Sequence, residues 1–222
     1  MWDILFPKSC VGCGKRGSYI CETCIAKAAK ASPQCPVCKK FSFRGKTHGS
    51  CSTKYDLDGL IALWKYEGVI RAGIHALKYK YVDSLAEELV IYAFDLLQPY
   101  NDQLKRSIFV PIPTHISRER FRGFNQTDLI ARELTKQFKG STISCLLSQG
   151  LDKKSQVGSS KKERARNIIG KYAVNNTGLL DSEANYILID DVWTTGSTMR
   201  EATKTLKKAG IKNVCGFVLA RG

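Results

Sequence analysis

The chain has 222 residues and a mass of 24.7 kDa, with 35 Lys+Arg against 20 Asp+Glu, a formal net charge of +15 and a pI of about 9.5. Its 43% hydrophobic and 25% charged residues supply material for a buried core and exclude wholesale disorder, while the longest strictly apolar run, Leu89 to Phe94, is far too short to span a membrane as a helix. The positive excess points to a polyanionic partner, such as phosphates, nucleic acid or an acidic membrane surface, and says nothing about fold.

The first ten residues lack a basic stretch followed by an apolar one, so the sequence predicts no secretory signal and a cytoplasmic location. Residues 1–55 read as a cysteine-rich module. Seven of the nine cysteines fall within the first 51 residues, and six of them form three C-x-x-C pairs, a metal-ligand grouping rather than a disulfide framework. Residues 1 to 54 carry ten basic and two acidic side chains and little helical or strand periodicity. A segment this short cannot close an adequate apolar core and needs a staple. Cys10-x2-Cys13 and Cys21-x2-Cys24 supply four thiolates, each pair presented by one tight turn, which suits a tetrahedral zinc ion. Cys35-x2-Cys38 is a third such knuckle, and His48-x2-Cys51 is a fourth with an imidazole replacing one thiolate. Two closed structural zinc sites follow. The simplest pairing joins the first two knuckles and the last two, while a crossed arrangement, with Cys10 and Cys13 sharing an ion with Cys35 and Cys38, stays open.

Residues 56–222 alternate helical and strand-like patterns. Ser84-Leu85-Ala86-Glu87 has capping-box spacing and opens the pattern Leu85, Leu89, Tyr92, Ala93, Leu96, a helix of about four turns. Ser107 to Pro113 is a strand stopped by its prolines. Asn125 is the candidate cap of a helix containing Leu129, Ile130, Leu134 and Phe138, and Thr142 to Leu147 is strand-like. Residues 148 to 168 form a long polar and basic loop. Tyr186-Ile187-Leu188-Ile189 is an apolar run of the buried-strand kind, followed by a helix from about Thr198 to Ala209 that stops at Gly210, and by a last strand from Asn213 to Ala220. Cys145 and Cys215 fall in apolar strands and read as core. Strands alternating with helices predict an α/β fold with an open parallel sheet.

Ile187-Leu188-Ile189-Asp190-Asp191-Val192-Trp193-Thr194-Thr195-Gly196-Ser197-Thr198 carries the most chemistry. An apolar strand ends in two carboxylates, and a hydroxyl- and glycine-rich loop then opens a helix. Such a loop offers backbone N–H groups and hydroxyls to an anion at a helix N-terminus, and the carboxylates stand at the carboxyl end of a strand, where open parallel sheets bind ligands. Neither a Walker A loop nor a G-x-G-x-x-G fingerprint is present, which disfavours ATP hydrolysis.

This motif resembles the phosphoribosyl pyrophosphate (PRPP) signature of type I phosphoribosyltransferases. The resemblance implies that Asp190 and Asp191 contact the ribose 2- and 3-hydroxyls, that Thr194, Thr195, Gly196, Ser197 and Thr198 cradle the 5-phosphate, and that Mg2+ accompanies PRPP. Together with the N-terminal knuckles, Tyr66-Glu67-Gly68 through Leu77-Lys78-Tyr79, Val110-Pro111-Ile112-Pro113, Arg122-Gly123-Phe124-Asn125-Gln126 and Glu163-Arg164-Ala165-Arg166-Asn167, it resembles the ComF family of competence proteins over nearly the whole chain. His48 departs from that family's pattern, in which a cysteine is expected. The resemblance implies a phosphoribosyltransferase-like domain behind a double zinc ribbon, and a role in natural transformation, the uptake of single-stranded DNA into the cytoplasm, alongside other competence proteins.

Two basic segments complete the reading. Arg118, Arg120 and Arg122 alternate after the Pro-x-Pro strand, and Lys153, Lys154, Lys161, Lys162, Arg164 and Arg166 follow in the long loop. Lys78, Arg122, Arg164 and Arg166 are the candidates for pyrophosphate. The wider set suits a sequence-independent nucleic-acid track, with Phe121, Phe124, Trp64, Tyr66, Tyr79 and Tyr81 as candidate stacking partners. Two functions are therefore expected: a PRPP-binding protein that handles single-stranded DNA, or an active phosphoribosyltransferase of nucleotide metabolism.

Overall fold

The computed structural model describes residues 7–79, 84–149, 170–175 and 180–222. Five parallel strands form an open sheet: β1 (Gly59–Lys65), β2 (Ile108–Pro111), β3 (Thr142–Ile143), β6 (Asn185–Trp193) and β7 (Asn213–Arg221), in the spatial order β1-β7-β6-β2-β3. A separate antiparallel pair joins β4 (Leu147–Gln149) to β5 (Tyr172–Val174). The main helices are α1 (Gly68–Tyr79), α2 (Ser84–Tyr92), α3 (Ile116–Arg122), α4 (Gln126–Gln137) and α5 (Ser197–Lys208). The predicted α/β class and open parallel sheet are observed. The four-turn helix expected from Ser84 is broken at Ala93 and resumes as a short turn, Phe94–Leu97. The single strand expected over Thr142 to Leu147 is two, β3 and β4, in different sheets.

Alternation along the central strands divides the core. Ile61, Leu63, Phe109, Ile187, Ile189 and Phe217 face α1, α2 and α4, packing with Ile70, Ile74, Leu77, Leu89, Ile130 and Leu134. Leu60, Val110, Leu188 and Val218 face the other way, onto Met199, Ala202 and Leu206 of α5 and onto Leu147 and Tyr172 of the β4–β5 pair. Burial on both faces is why these strands are nearly continuous apolar runs. Adjacent β2 and β6 lead away in opposite directions, one through α4 to β3 and the other through α5 to β7, so the crevice between their carboxyl ends is the topological switch point.

The cysteine-rich module is stapled onto this body. Ile20 is fully buried among the side chains of the first core, and Glu88 of α2 accepts the amide N–H groups of Tyr19 at 3.2 Å and Ile20 at 2.8 Å. Tyr92 Oη donates to the Ile20 carbonyl at 3.0 Å. Along the free edge of β1, Ala31 N–H donates to Leu63 O and Lys65 N–H to Ala29 O, which covers an otherwise open sheet edge. Gly45 approaches the same strand so closely that a Cβ would lie 2.1 Å from Leu60 O, and its φ of 68° already favours glycine.

Candidate functional site

Two groups of metal-ligating atoms form in the module. Cys10, Cys13, Cys21 and Cys24 make one, and Cys35, Cys38, His48 and Cys51 the other, with the ligand atoms of each group within 4.8 Å of one another. The simple pairing is the one observed, not the crossed one. Cys13 Sγ and Cys21 Sγ lie 3.6 Å apart, close to the edge of roughly 3.8 Å that Zn–S bonds of about 2.3 Å give a tetrahedron. His48 Nδ1 stands 3.4 Å from Cys38 Sγ while Nε2–H donates to the Phe41 carbonyl at 3.1 Å, the outer hydrogen bond that orients a ligating imidazole. Burial raises the thiol pKa of Cys10, but amides of Cys21, Gly12 and Cys13 outweigh it and bring the group down to about 6; amides of Cys38, His48 and Val37 likewise outweigh burial at Cys35, which falls to about 7. Both donor sets fit structural zinc.

Towards the carboxyl end of β6, Asp190 and Asp191 are successive residues of the strand and project to opposite faces. Asp191, 4% exposed, belongs to a polar network: Lys78 Nζ of α1 lies 2.9 Å from Oδ1 and 2.8 Å from Oδ2, and Gln126 Nε2 of α4 donates to Oδ2 at 3.2 Å. Gln126 in turn accepts from Arg122 at 2.8 Å, and Arg122 is itself 4% exposed. The α4 terminus is fixed from below, where Thr127 Oγ1 donates to the Ile112 carbonyl at 2.8 Å and Asn125 Oδ1 accepts the Thr127 amide, the cap expected from sequence. Lys78 and Arg122 thus converge on one buried network, joined by Gln126, which the sequence places within a motif but gives no evident role. Arg164 and Arg166 lie outside the described residues, as does most of the long loop.

Asp190 faces the opposite side, onto a cleft of about 490 Å3 bounded by Trp193, Thr194, Thr195, Gly196, Ser197 and Thr198. Removal from water foremost, and the neighbouring Asp191 carboxylate second, raise its pKa to about 7. Gly196 takes φ 73° at the start of α5, and a Cβ there would lie 2.2 Å from Trp193 Cζ2. Trp193 is 5% exposed, packed under the loop, and supports the cleft floor. Thr195 Oγ1 and Ser197 Oγ are 2.8 Å apart on one side of the turn. Arg200, one turn into α5, donates to the Thr195 carbonyl and lies 5.6 Å over the Trp193 ring, a brace that sequence reasoning misses.

Several aromatic and cysteine assignments change. Trp64 is 2% exposed, and Tyr66 packs against the first core, so neither presents a stacking face. Phe121 is 68% exposed. Cys145 is exposed between β3 and β4 and is not core, whereas Cys215 is partly buried on β7, where burial pushes its thiol up to about 12.

Fold and site together define a double metal-ribbon module docked on an open α/β domain with a phosphate-type loop at its switch point. Residues 1–53 match the double zinc ribbon domain family. The curated relatives that span most of the chain are named as competence proteins and DNA utilization proteins. Competence protein F of Haemophilus influenzae is 26% identical over 208 residues, covering 91% of this chain and 90% of that protein. Competence protein ComFC of Bacillus subtilis is 32% identical over 118 residues, 53% of this chain and 45% of that protein. The DNA utilization protein YhgH of Escherichia coli O157:H7 is 25% identical over 208 residues, 91% of this chain and 90% of that protein. The resemblance to the ComF family is borne out by these relatives. Among the described residues no helix is long and apolar enough to cross a membrane.

Proposed function

We propose that this chain binds PRPP at the carboxyl end of β6 and handles single-stranded DNA in the cytoplasm during DNA uptake, a reading supported by relatives named for competence and for DNA utilization. One observation carries the PRPP half: the loop from Thr194 to Thr198 opens a twelve-residue helix onto a cleft of about 490 Å3 that Asp190 also lines. The 5-phosphate is received by the backbone N–H groups and hydroxyls of that loop, where the helix dipole favours an anion. Asp190 accepts from a ribose hydroxyl or faces the magnesium that accompanies PRPP. Asp191 is a positioning residue in this reading, holding Lys78 and Gln126 on the far side of β6. Titration calorimetry with PRPP and magnesium tests it. Saturable binding that weakens at least tenfold in Asp190→Ala is expected, and a wild-type protein that ignores PRPP overturns it.

The raised proton affinity of Asp190 favours one second reading, turnover of PRPP. A carboxyl that exchanges its proton near neutrality sits where an incoming amine or base nitrogen has a proton to lose. Displacement of pyrophosphate from the anomeric carbon otherwise needs positioning and charge neutralisation more than dedicated side chains. Pyrophosphate release measured over a panel of nucleobases distinguishes turnover from binding alone.

A further inference from the structure

The second metal site presents a surface that the phosphate cleft does not use. Phe41 and Phe43 are 71% and 68% exposed, while Ser42 between them is 5% exposed. Ser42 is extended, with φ −147° and ψ 134°, so its neighbours project to the same side. Two residues of extended chain span about 7 Å, roughly twice the thickness of a flat base, so each ring can carry a base of one continuous strand. The presentation is rigid. Phe41 pairs with Gln34 in an antiparallel bridge and its carbonyl accepts from His48 Nε2, and Ser42 Oγ donates to the Lys46 carbonyl.

The charge along this stretch of chain is of one sign. Residues 25 to 54 contain seven basic side chains, Lys27, Lys30, Lys39, Lys40, Arg44, Lys46 and Lys54, and no Asp or Glu. Lys39, Lys40, Arg44 and Lys46 are exposed and bracket the two rings, with the Arg44 guanidinium 5.2 Å over Phe43. On its other side the knuckle meets the phosphate cleft: Gln34, Pro36 and Lys39 share a small cavity of about 70 Å3 with Trp193, Thr194 and Arg221.

We propose that the Phe41–Phe43 edge of the second metal site is a stacking platform for single-stranded nucleic acid, its bases on the two rings and its phosphates on Lys39, Lys40, Arg44 and Lys46. The assignment rests on the reading that this protein handles single-stranded DNA, and places that activity on the metal module. Two rings flanked by cations on both sides, Lys39 and Lys40 before and Arg44 and Lys46 after, set stacking faces beside phosphate contacts, and sequence tolerance follows because every base offers a flat face. A lipid surface calls for a continuous apolar face, which the cations here interrupt.

Binding of an oligothymidylate to the full chain, measured by fluorescence anisotropy against salt, tests the proposal. Phe41→Ala and Phe43→Ala are each expected to weaken binding about tenfold at unchanged salt slope, since one ring stacks about one base. Lys39→Ala with Lys40→Ala is expected to reduce the slope by roughly 1.4, at about 0.7 for each phosphate that no longer meets a lysine. Phe43→Trp is expected to keep the affinity, and its emission to be quenched as the strand binds. Zinc content equal to wild type establishes that each variant keeps its module. Undiminished oligonucleotide binding by the Phe41→Ala/Phe43→Ala protein, including a defect confined to anionic vesicles, overturns the platform while leaving the single-strand reading intact. A wild-type protein that binds no oligonucleotide overturns that reading itself.

Discussion

Gly196 meets two demands at once. Its positive φ turns the chain from β6 into α5, and its missing Cβ lets the Trp193 ring lie beneath the loop. Gly196→Ala combines left-handed strain with overpacking of a buried ring, each worth about 1–3 kcal/mol, so urea denaturation is expected to show a loss of roughly 2–6 kcal/mol, with weaker PRPP binding. Asp190 imposes a pH dependence of its own. Its folded pKa is raised from 3.8 to about 7, so the native state holds a proton that the unfolded chain gives up first. The contribution is fully present below pH 3.8 and is lost as pH rises towards and through about 7. Asp190→Asn is therefore expected to flatten the fall in stability between those limits and to be more stable than wild type at pH 8, as read from denaturation midpoints across pH. A wild-type curve that the substitution leaves unchanged in slope would show that Asp190 does not titrate in this range.

At the scale of elements, α1, β6 and α4 are tied together by Lys78, Asp191 and Gln126, which are separated by as many as 113 residues in sequence. Lys78→Met leaves the Asp191 carboxylate, in a residue 4% exposed, with Gln126 as its remaining side-chain partner among the described residues, an expected cost of about 3 kcal/mol in urea denaturation, and Lys78→Met with Asp191→Asn recovers most of it. The network also marks where sequence reasoning stops. Local chemistry is legible: the knuckle spacing, the Asn125 cap and the strand–loop–helix motif each act within a few residues. Partnership across the sheet is not, because nothing near Asp191 announces Lys78. The β1 strand escapes because a short run that is apolar up to Trp64 has no period to distinguish strand from helix, and α3 because its largest apolar side chains, Ile116 and Phe121, are exposed and leave no buried stripe. The β4–β5 pair joins segments of three residues each across a long intervening stretch. The metal module behaves as an element too. Cys51→Ser is expected to lower zinc content from two ions to one by mass spectrometry, whereas His48→Cys, which restores four thiolates, keeps two.

For the whole molecule, the net charge of +15 is unevenly spread, +6 over residues 1 to 60, +3 over 61 to 150 and +6 over 151 to 222. The first share surrounds the metal knuckles, and the small cavity shared by Lys39 and Thr194 brings that share against the loop that opens α5. Two anionic ligands, PRPP at the loop and a strand on the second knuckle, would thus lie within a few side chains of each other. Their repulsion is felt over a Debye length of about 10 Å at 0.1 M salt and is screened as salt rises. Saturating PRPP is therefore expected to weaken oligothymidylate binding about two- to fivefold at roughly 50 mM salt and not at roughly 300 mM. Because coupling between binding sites is reciprocal, the oligonucleotide must weaken PRPP by the same factor, and the two titrations check each other. Complete mutual exclusion would place a phosphate of the strand in the Thr194–Thr198 loop itself. Independence at low salt would separate the two sites by more than the contact between the metal module and the loop allows.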